Sequence, residues 1–588
     1  MAAFPGRSAL SAPQPGLAGE GKKNSLASQV FPQGRPGPGV HWSSAGAGVE
    51  YADAPLRLAR GGVRVGHGSA TRGNDAPGPV RDRGPEVRLR NWFDVPYDDA
   101  IAAARTCYSP RVIGADEVTP GQRARIGPLT YEGGHHTVYQ HATFEFALSG
   151  ISRQLVWSFL HGFPFYNTEQ QSQRYVKLGE PEAHVPTVLH GEARDVYERS
   201  IRSAWRAYGE LNARLSDPVM EILSDLWRLK DRVGKAFGRS VAREAEKKAI
   251  ETARYVIPVA CHTAMVYTVS GLTLHRLRRM AAVSDAPREA RAVVDQMVHE
   301  VHKLDPDFFE VIGDAPLADG DIPEFAASTA GIGDTAQLEA FDKSLDGRRA
   351  RLVDWSARGP EVVADGVRHV LGRGDLGDEE AIALALDPAK NRYRLERMNV
   401  SSHSPLMRAL NHAHYTFRKK LSHTADSQDQ RHRMVPGSRP LLTRTVPDRV
   451  DVIEPELIAA HPDCHAVFRE TVEAQWHARN ELLRLGVAPE FALYVLPNAL
   501  AVRFEESGSL LHQLHKWTMR TCLNAQREIY EASMDEIAQV REVHPQLMHH
   551  VGPPCAVRSG NVSPRCTEGT HFCGVPVWKS FPDVDRKI

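Results

Sequence analysis

Tyr255-Val256-Ile257-Pro258 and Tyr494-Val495-Leu496-Pro497 mark the same place in two copies of one repeat, and an arginine set is divided between them. Arg254 precedes the first motif, where the second copy has Leu493. Arg520 lies twenty-three residues after the second proline, where the first copy has Ala281. Each copy keeps an arginine that the other lacks. Duplication constrains the fold first, because whatever unit one copy forms the other must form as well. An anion site between the copies would need one arginine of each kind, so the pattern predicts one composite site per chain.

The chain of 588 residues has room for two or three domains, and its 42% hydrophobic content can fill sizeable cores. Acidic and basic residues balance at 72 each, which argues against nucleic acid or anionic lipid as a partner. Seven cysteines in so long a chain make no disulfide framework. With no apolar leader at the start, a reducing cytoplasm is the expected compartment. Tyr255 to Leu274 carries no Asp, Glu, Lys or Arg over a length that could span a bilayer. Its counterpart in the second copy holds Arg503, Glu505 and Glu506, charges that are costly in lipid, so both runs are read as buried core helices.

Residues 1–85 are crowded with Gly, Pro, Ser and Arg and read as a disordered tail. The first copy spans 86–312, opening with an alanine-rich helix over Tyr97 to Cys107 and an alternating strand at His141 to Phe146. Long charged helical patterns run from Ala193 to about Asp305. A Pro, Gly and Ala stretch, 313–336, reads as a linker. The second copy spans 337–551, with His412-Ala413-His414-Tyr415-Thr416-Phe417 echoing the first strand, and a Cys-containing extension covers 552–588.

Distinctive chemistry follows each paired strand. The first copy carries Leu160-His161-Gly162 and, farther on, Glu169-Gln170-Gln171-Ser172-Gln173-Arg174-Tyr175. The second carries Gln428-Asp429-Gln430-Arg431-His432-Arg433. Both regions resemble flavin-dependent thymidylate synthase, whose signature joins an Arg-His-Arg triplet to a downstream Ser-x-Arg. Here the triplet is in the second copy and the Ser-x-Arg in the first. Sequence matching sets Leu160 and Gly162 against Arg431 and Arg433. Ala104-Arg105-Thr106-Cys107-Tyr108, His135-His136-Thr137, the Glu251 and Arg254 pair, and Arg520 with Ala525-Gln526-Arg527-Glu528-Ile529 extend the likeness over most of both copies.

The resemblance implies an α+β fold, two tandem copies of an antiparallel sheet with long helices. It implies reductive methylation of deoxyuridine monophosphate, with methylene-tetrahydrofolate as carbon donor, FAD as hydride carrier and NADPH as reductant. Guanidinium forks suit a phosphate, so Ser172, Gln173, Arg174 and Arg254 are expected at the nucleotide with Arg431, and Gln428 at its base. Arg520 would stabilise negative charge on the activated pyrimidine. Arg431, His432, Arg433, Ser404 and His515 are expected at the flavin, with Glu169 or Gln170 as the family's loop glutamate. No cysteine nucleophile is required.

Two features depart from the family. Its Asn-x-Arg flavin contact is Ser270-Gly271-Leu272 in one copy and Ser509-Leu510-Leu511 in the other, and the loop between Asn167 and Ser172 is longer. A different pyrimidine nucleotide, or a silent nucleotide- or flavin-binding protein, is therefore the alternative. If single-copy relatives are tetramers, the fused chain should form a homodimer that imitates one. In the extension, Cys555, Cys566, Cys573 and His571 are candidate ligands of a structural zinc.

Overall fold

Alternating burial builds both sheets. Thr143–Ser152 forms β2 with Phe144, Phe146 and Leu148 facing inward, and His414–Ser422 forms β6 with Tyr415, Phe417, Lys419 and Leu421 in the same positions. In the computed structural model, β2 pairs with β1 (Glu86–Trp92) on one side and β4 (His262–Ser270) on the other, and β3 (Tyr166–Gln170) follows β4. The second sheet repeats this order, β5 (Ala350–Trp355), β6, β8 (Ala501–Ser509), β7 (Gly437–Ser438). Every pairing is antiparallel.

The structure describes residues 78–588 except 163–164, 228–234, 312, 314, 327–333 and 395–396. Most of the expected disordered tail and the centre of the expected linker lie outside the described residues. Residues 78–85 are bound to the first copy: Arg81 bridges to Glu182, and the Val185 amide donates to the Asp82 carboxylate at 2.7 Å.

The charge-free run from Tyr255 is no helix. It is a tight turn at Arg254–Val256, then β4, then the helix Gly271–Met280, and its counterpart is β8. His262 to Ser270 alternates Thr, Val, Tyr and Met about the sheet plane, and β-branched and aromatic residues favour that pleated surface. The long helical pattern after Ala193 is accordingly split into Gly191–Leu226, Lys235–Ala253 and Pro287–Leu304, with β4 between the last two. No helix among the described residues is long and apolar enough to cross a membrane.

In the first copy, β2 is bulged between Leu148 and Ile151, and Gly150 there has φ +63°. A Cβ at Gly150 would sit 2.0 Å from the Gly84 carbonyl oxygen, so no larger residue fits.

The copies meet back to back about an approximate two-fold axis. Pro258 bridges Pro497, the Val259 amide donates to the Leu496 carbonyl at 2.8 Å, and the Asn498 amide donates to the Ile257 carbonyl at 2.8 Å. Tyr255 donates to Glu528 and Tyr494 to Glu289, each carboxylate also receiving a serine hydroxyl, Ser422 or Ser152, at the start of the helix beyond β6 or β2. Helix Gly191–Leu226 packs on helix Pro462–Arg484, and a single apolar core draws on both copies.

Candidate functional site

Ser152 and Ser422 cap equivalent helices, Arg153–Phe159 and His423–Asp429. Counting from these caps puts His161 opposite Arg431 and Gly162 opposite His432, one residue away from the pairing by sequence. Helix phase corrects that pairing, and the first copy still offers no arginine at the triplet.

The second copy's helix Leu510–Arg520 ends on Arg520, whose Nε donates to His432 Nε2 at 2.8 Å and whose Nη2 donates to the Gln428 carbonyl at 2.8 Å. His432 Nε2 must then carry no proton. Burial, and after it the Arg520 charge, hold that imidazole well below its ordinary range. Burial draws Arg520 down to about 10, leaving it charged at neutral pH, with the carboxylate of Asp429 opposing the shift.

The first copy reaches into this site. Arg254 is buried, and its Nη2 donates to Gln526 Oε1 at 2.8 Å; Gln428 Nε2 meets the same oxygen. Arg174 donates through Nη2 to the Asn524 carbonyl at 2.6 Å and through Nε to Glu251. From the other side, Arg433 Nη1 donates to Asn167 Oδ1 at 2.8 Å and lies over the Tyr166 ring, and Arg431 stands 3.6 Å from Glu169. These contacts between the two copies form within one chain.

Two openings flank these residues. A cleft of about 560 Å³ is lined by Arg174, Tyr175, Lys247, Lys248, Glu251 and Asn524. A shallower groove of about 440 Å³ runs past Phe165, Tyr166, Asn167, Ser270, Arg433 and Met434. Buried Gln428 leaves its Oε1 without a partner among the described residues, an acceptor free for a ligand N–H.

Other expected site residues are turned elsewhere. Gln173 is buried against Cys261 and Asn498, and so braces the loop. Ser172 Oγ accepts the Arg174 amide at 3.2 Å. Gln170 Nε2 reaches Thr263 at 3.5 Å, while Glu169 is 91% exposed. Ser404 accepts the Met407 amide as a helix cap, and His515 lies edge-on to His432 at 5.7 Å.

Burial would raise the Glu251 carboxyl, but the charges of Arg174, Lys248 and Arg254 hold it at about 2. Arg174 is raised by this pairing, whereas burial lowers Arg254, a cation enclosed beside others. Glu251 titrates at 4.5 when unperturbed. The folded form is thus favoured by about 3 kcal/mol above pH 4.5, and that share is lost as pH falls toward 2. Glu251→Gln should flatten the stability profile over this window in denaturant titrations; an unchanged slope rejects the assignment.

The symmetry-related position is closed. Leu493, in place of Arg254, packs in a core with Trp157, Leu442, Val446 and Trp476. Thr443 occupies the place of Arg174 and donates its amide to Asp285 at 3.1 Å. Arg439 is spent on Asp426, which also accepts Trp157 Nε1 at 2.8 Å.

Gln526 lies within the motif run Ala525 to Ile529, which gave it no role of its own, and Asn524 and Lys248 were not singled out by sequence motifs. Nor were five charged side chains behind Arg520. Lys419, Asp429, Glu506, Lys516 and Glu536 are wholly buried, with Lys419 at 2.5 Å from Asp429 and 2.9 Å from Glu536, and Lys516 at 3.0 Å from Glu536. A lysine at an inward position of β6 is the sequence signal that marks them.

The expected ligand set in the extension is also corrected. His571 turns its ring toward Glu244, 3.9 Å away, and lines the large cleft. Among the described residues no group of three or more His, Cys, Asp or Glu side chains stands arranged to hold a metal ion.

A family model described as thymidylate synthase complementing protein matches residues 89–307 and again 351–546. Flavin-dependent thymidylate synthase from Clostridium tetani is 30% identical over 252 residues, covering 42% of this chain and 93% of that protein. The enzyme of the same name from Nitratidesulfovibrio vulgaris is 26% identical over 258 residues, covering 42% and 94%. Among solved structures, a UMP/dUMP methylase, PolB, from Streptomyces cacaoi bound with 5-Br dUMP is 20% identical, with a TM-score of 0.28, over 40% of this chain and 96% of that one.

Proposed function

The chain belongs to the thymidylate synthase complementing protein family, matched in both of its copies, and on that premise we propose that it methylates deoxyuridine monophosphate reductively at one composite site per chain. Methylene-tetrahydrofolate is the carbon donor and NADPH the reductant in this reading. The observation that carries it is the pairing of first-copy Arg254 and Arg174 with second-copy Gln526 and Asn524 beside Arg520.

Arg174 and Arg254 hold the nucleotide phosphate, whose charge offsets the burial of Arg254. Gln428 Oε1, otherwise unpartnered, accepts from the pyrimidine N3–H. Arg520, pinned by His432 and the Gln428 carbonyl, stabilises negative charge that develops on the base as its C5 attacks the one-carbon unit. Arg431 and Arg433, beside the groove lined by Phe165 and Tyr166, would hold the pyrophosphate of FAD, which when bound and reduced would supply the hydride. Ser509, at the family's Asn-x-Arg position, is instead engaged with Asn411 and His512, which favours a silent or altered homologue as the second reading. The thiol of Cys522 is pushed up to about 11 by burial and stays protonated, in keeping with chemistry that uses no thiolate nucleophile.

The deciding experiment is an anaerobic assay with deoxyuridine monophosphate, methylene-tetrahydrofolate, FAD and NADPH. Thymidylate formation supports the proposal; nucleotide binding without turnover, and without flavin in the purified protein, supports the silent reading. Arg254→Ala is expected to weaken deoxyuridine monophosphate binding on the order of 10- to 100-fold, as loss of a charged hydrogen-bond partner does. Calorimetric titration measures this, and an unchanged Kd removes Arg254 from the phosphate site.

A further inference from the structure

Five charged side chains are sealed behind the site, and no step assigned to the reaction uses them. Lys419 lies on β6, Asp429 on the helix His423–Asp429, Glu506 on β8, Lys516 on the helix Leu510–Arg520 and Glu536 on the helix Arg527–Val543. Lys419 reaches Asp429 at 2.5 Å and Glu536 at 2.9 Å, and Lys516 reaches Glu536 at 3.0 Å and also meets Glu506. Trp517 Nε1 donates to Glu536 at 2.7 Å. Burial disfavours the charge on Lys419, but the carboxylates of Asp429, Glu506 and Glu536 hold it well above its ordinary range.

Stability does not explain them. Buried ion pairs seldom outdo apolar packing of similar volume, and the first copy builds the same sheet order without any of the five. It has Phe159 in place of Asp429 and Leu277 in place of Lys516, and it has Ser158, Gly162 and Ala281 where the second copy has Gln428, His432 and Arg520. The charges stand only in the copy that keeps those three groups. We propose that the cluster is a positioning device for Arg520: it ties the helix ending on Asp429 to the helix ending on Arg520, and so fixes where the guanidinium stands.

The ties enter the site at both ends. Asp429 follows Gln428, whose carbonyl receives Arg520 Nη2 at 2.8 Å, and the Asp429 carbonyl receives the His432 amide at 3.0 Å. Lys516 stands one turn before Arg520, whose Nε donates to His432 Nε2 at 2.8 Å. Lys419 and Glu536 join these ends, Asp429 to Lys419, Lys419 to Glu536, Glu536 to Lys516. Apolar contacts slide at little cost. Hydrogen-bonded charges in a low-dielectric interior accept few geometries, because a displaced partner leaves a buried charge unpaired. The cluster also acts through space: burial works against the charge of Arg520, and Asp429 is first among the groups that oppose it.

The inference rests on the catalytic role proposed for Arg520, and its test separates the two. The full chain carrying the first copy's residues at all five positions has an apolar core that the first copy already accepts. Its crystal structure, solved without ligand beside that of the parent, should show Arg520 released from His432 Nε2 or from the Gln428 carbonyl. In the thymidylate assay its kcat should fall on the order of 10- to 100-fold, with nucleotide Kd changed by less than about threefold. Asp429→Asn, which removes one charge at nearly constant shape, serves if the fivefold variant does not fold, and should lower kcat about tenfold. Asp426→Asn is the control. Asp426 lies on the same helix but is tied to Arg439 and Trp157 on the closed side, so this variant should melt lower with kcat unchanged. Arg520 still held at both hydrogen bonds in the fivefold variant overturns the proposal, and so does an equal fall of kcat in Asp429→Asn and Asp426→Asn. If the parent makes no thymidylate, the reaction assigned to Arg520 fails, and the place of Arg520 in the two crystal structures still decides the inference.

Discussion

Arg520→Ala is expected to lower kcat for thymidylate formation on the order of 100- to 1,000-fold while changing nucleotide Kd by less than about tenfold. The guanidinium is fixed by two hydrogen bonds, from Nε to His432 and from Nη2 to the Gln428 carbonyl, so it is already placed for the charge that forms on the base. An interaction made mainly in the transition state shows in kcat and not in binding. Arg520→Lys keeps a charge and loses the planar fork, and should recover little. Single-turnover kinetics with a parallel melting curve separates this from general damage. If Arg520→Ala turns over within tenfold of the parent, Arg520 is not the electrostatic centre.

Lys419→Met should cost about 3–5 kcal/mol of stability, the largest effect expected of any single substitution away from the ligand-binding residues. Removing this cation leaves Asp429, Glu506 and Glu536 buried without its charge, and an uncompensated buried charge is far more costly than a lost surface pair. Glu506 is already raised to about 7, by burial first and by the Asp429 charge second. The first copy supplies the comparison. Leu148, Phe159, Tyr267, Leu277 and Met297 occupy the places of Lys419, Asp429, Glu506, Lys516 and Glu536, and pack as ordinary apolar core. The fold therefore does not require the charges. Replacing all five together with the first copy's residues should cost much less than Lys419→Met, since both partners of each pair leave at once. Urea unfolding of the two proteins measures the difference, and a single substitution as mild as the fivefold one contradicts the argument.

The repeat could be read from the chain because the Tyr-Val-x-Pro motif keeps its spacing to Arg520 and Ala281, and duplicated strands keep their alternation. The strand His262–Ser270 was misread as helix for a physical reason. A run with no charge on either face loses the polar half of its pattern, although its burial alternates in the fold, so a period of two cannot be told from one of 3.6. The one-residue slip between Leu160 and His161 has a related origin. Sequence matching aligned two histidines, whereas helix phase is set by the serine caps.

At the site, the residue types spoke first. Arg174, Arg254, Gln428, His432 and Arg520 were picked out by their likeness to the family's motifs, and guanidinium forks of that kind suit a phosphate. Their partners had no such mark: Gln526 stands within the quoted run Ala525 to Ile529 without a role of its own, and Asn524 meets Arg174 through its backbone carbonyl, which no residue type signals.

Sequence was enough to establish the family, the duplication and the division of arginines between copies, because each depends on identity and order along the chain. Which second-copy groups Arg254 and Arg174 meet, and that the symmetry-related position is filled by Leu493 and Trp157, were decided by the tertiary fold. Those outcomes rest on the two-fold contact at Pro258 and Pro497, where strands and turns far apart in sequence approach within hydrogen-bond distance.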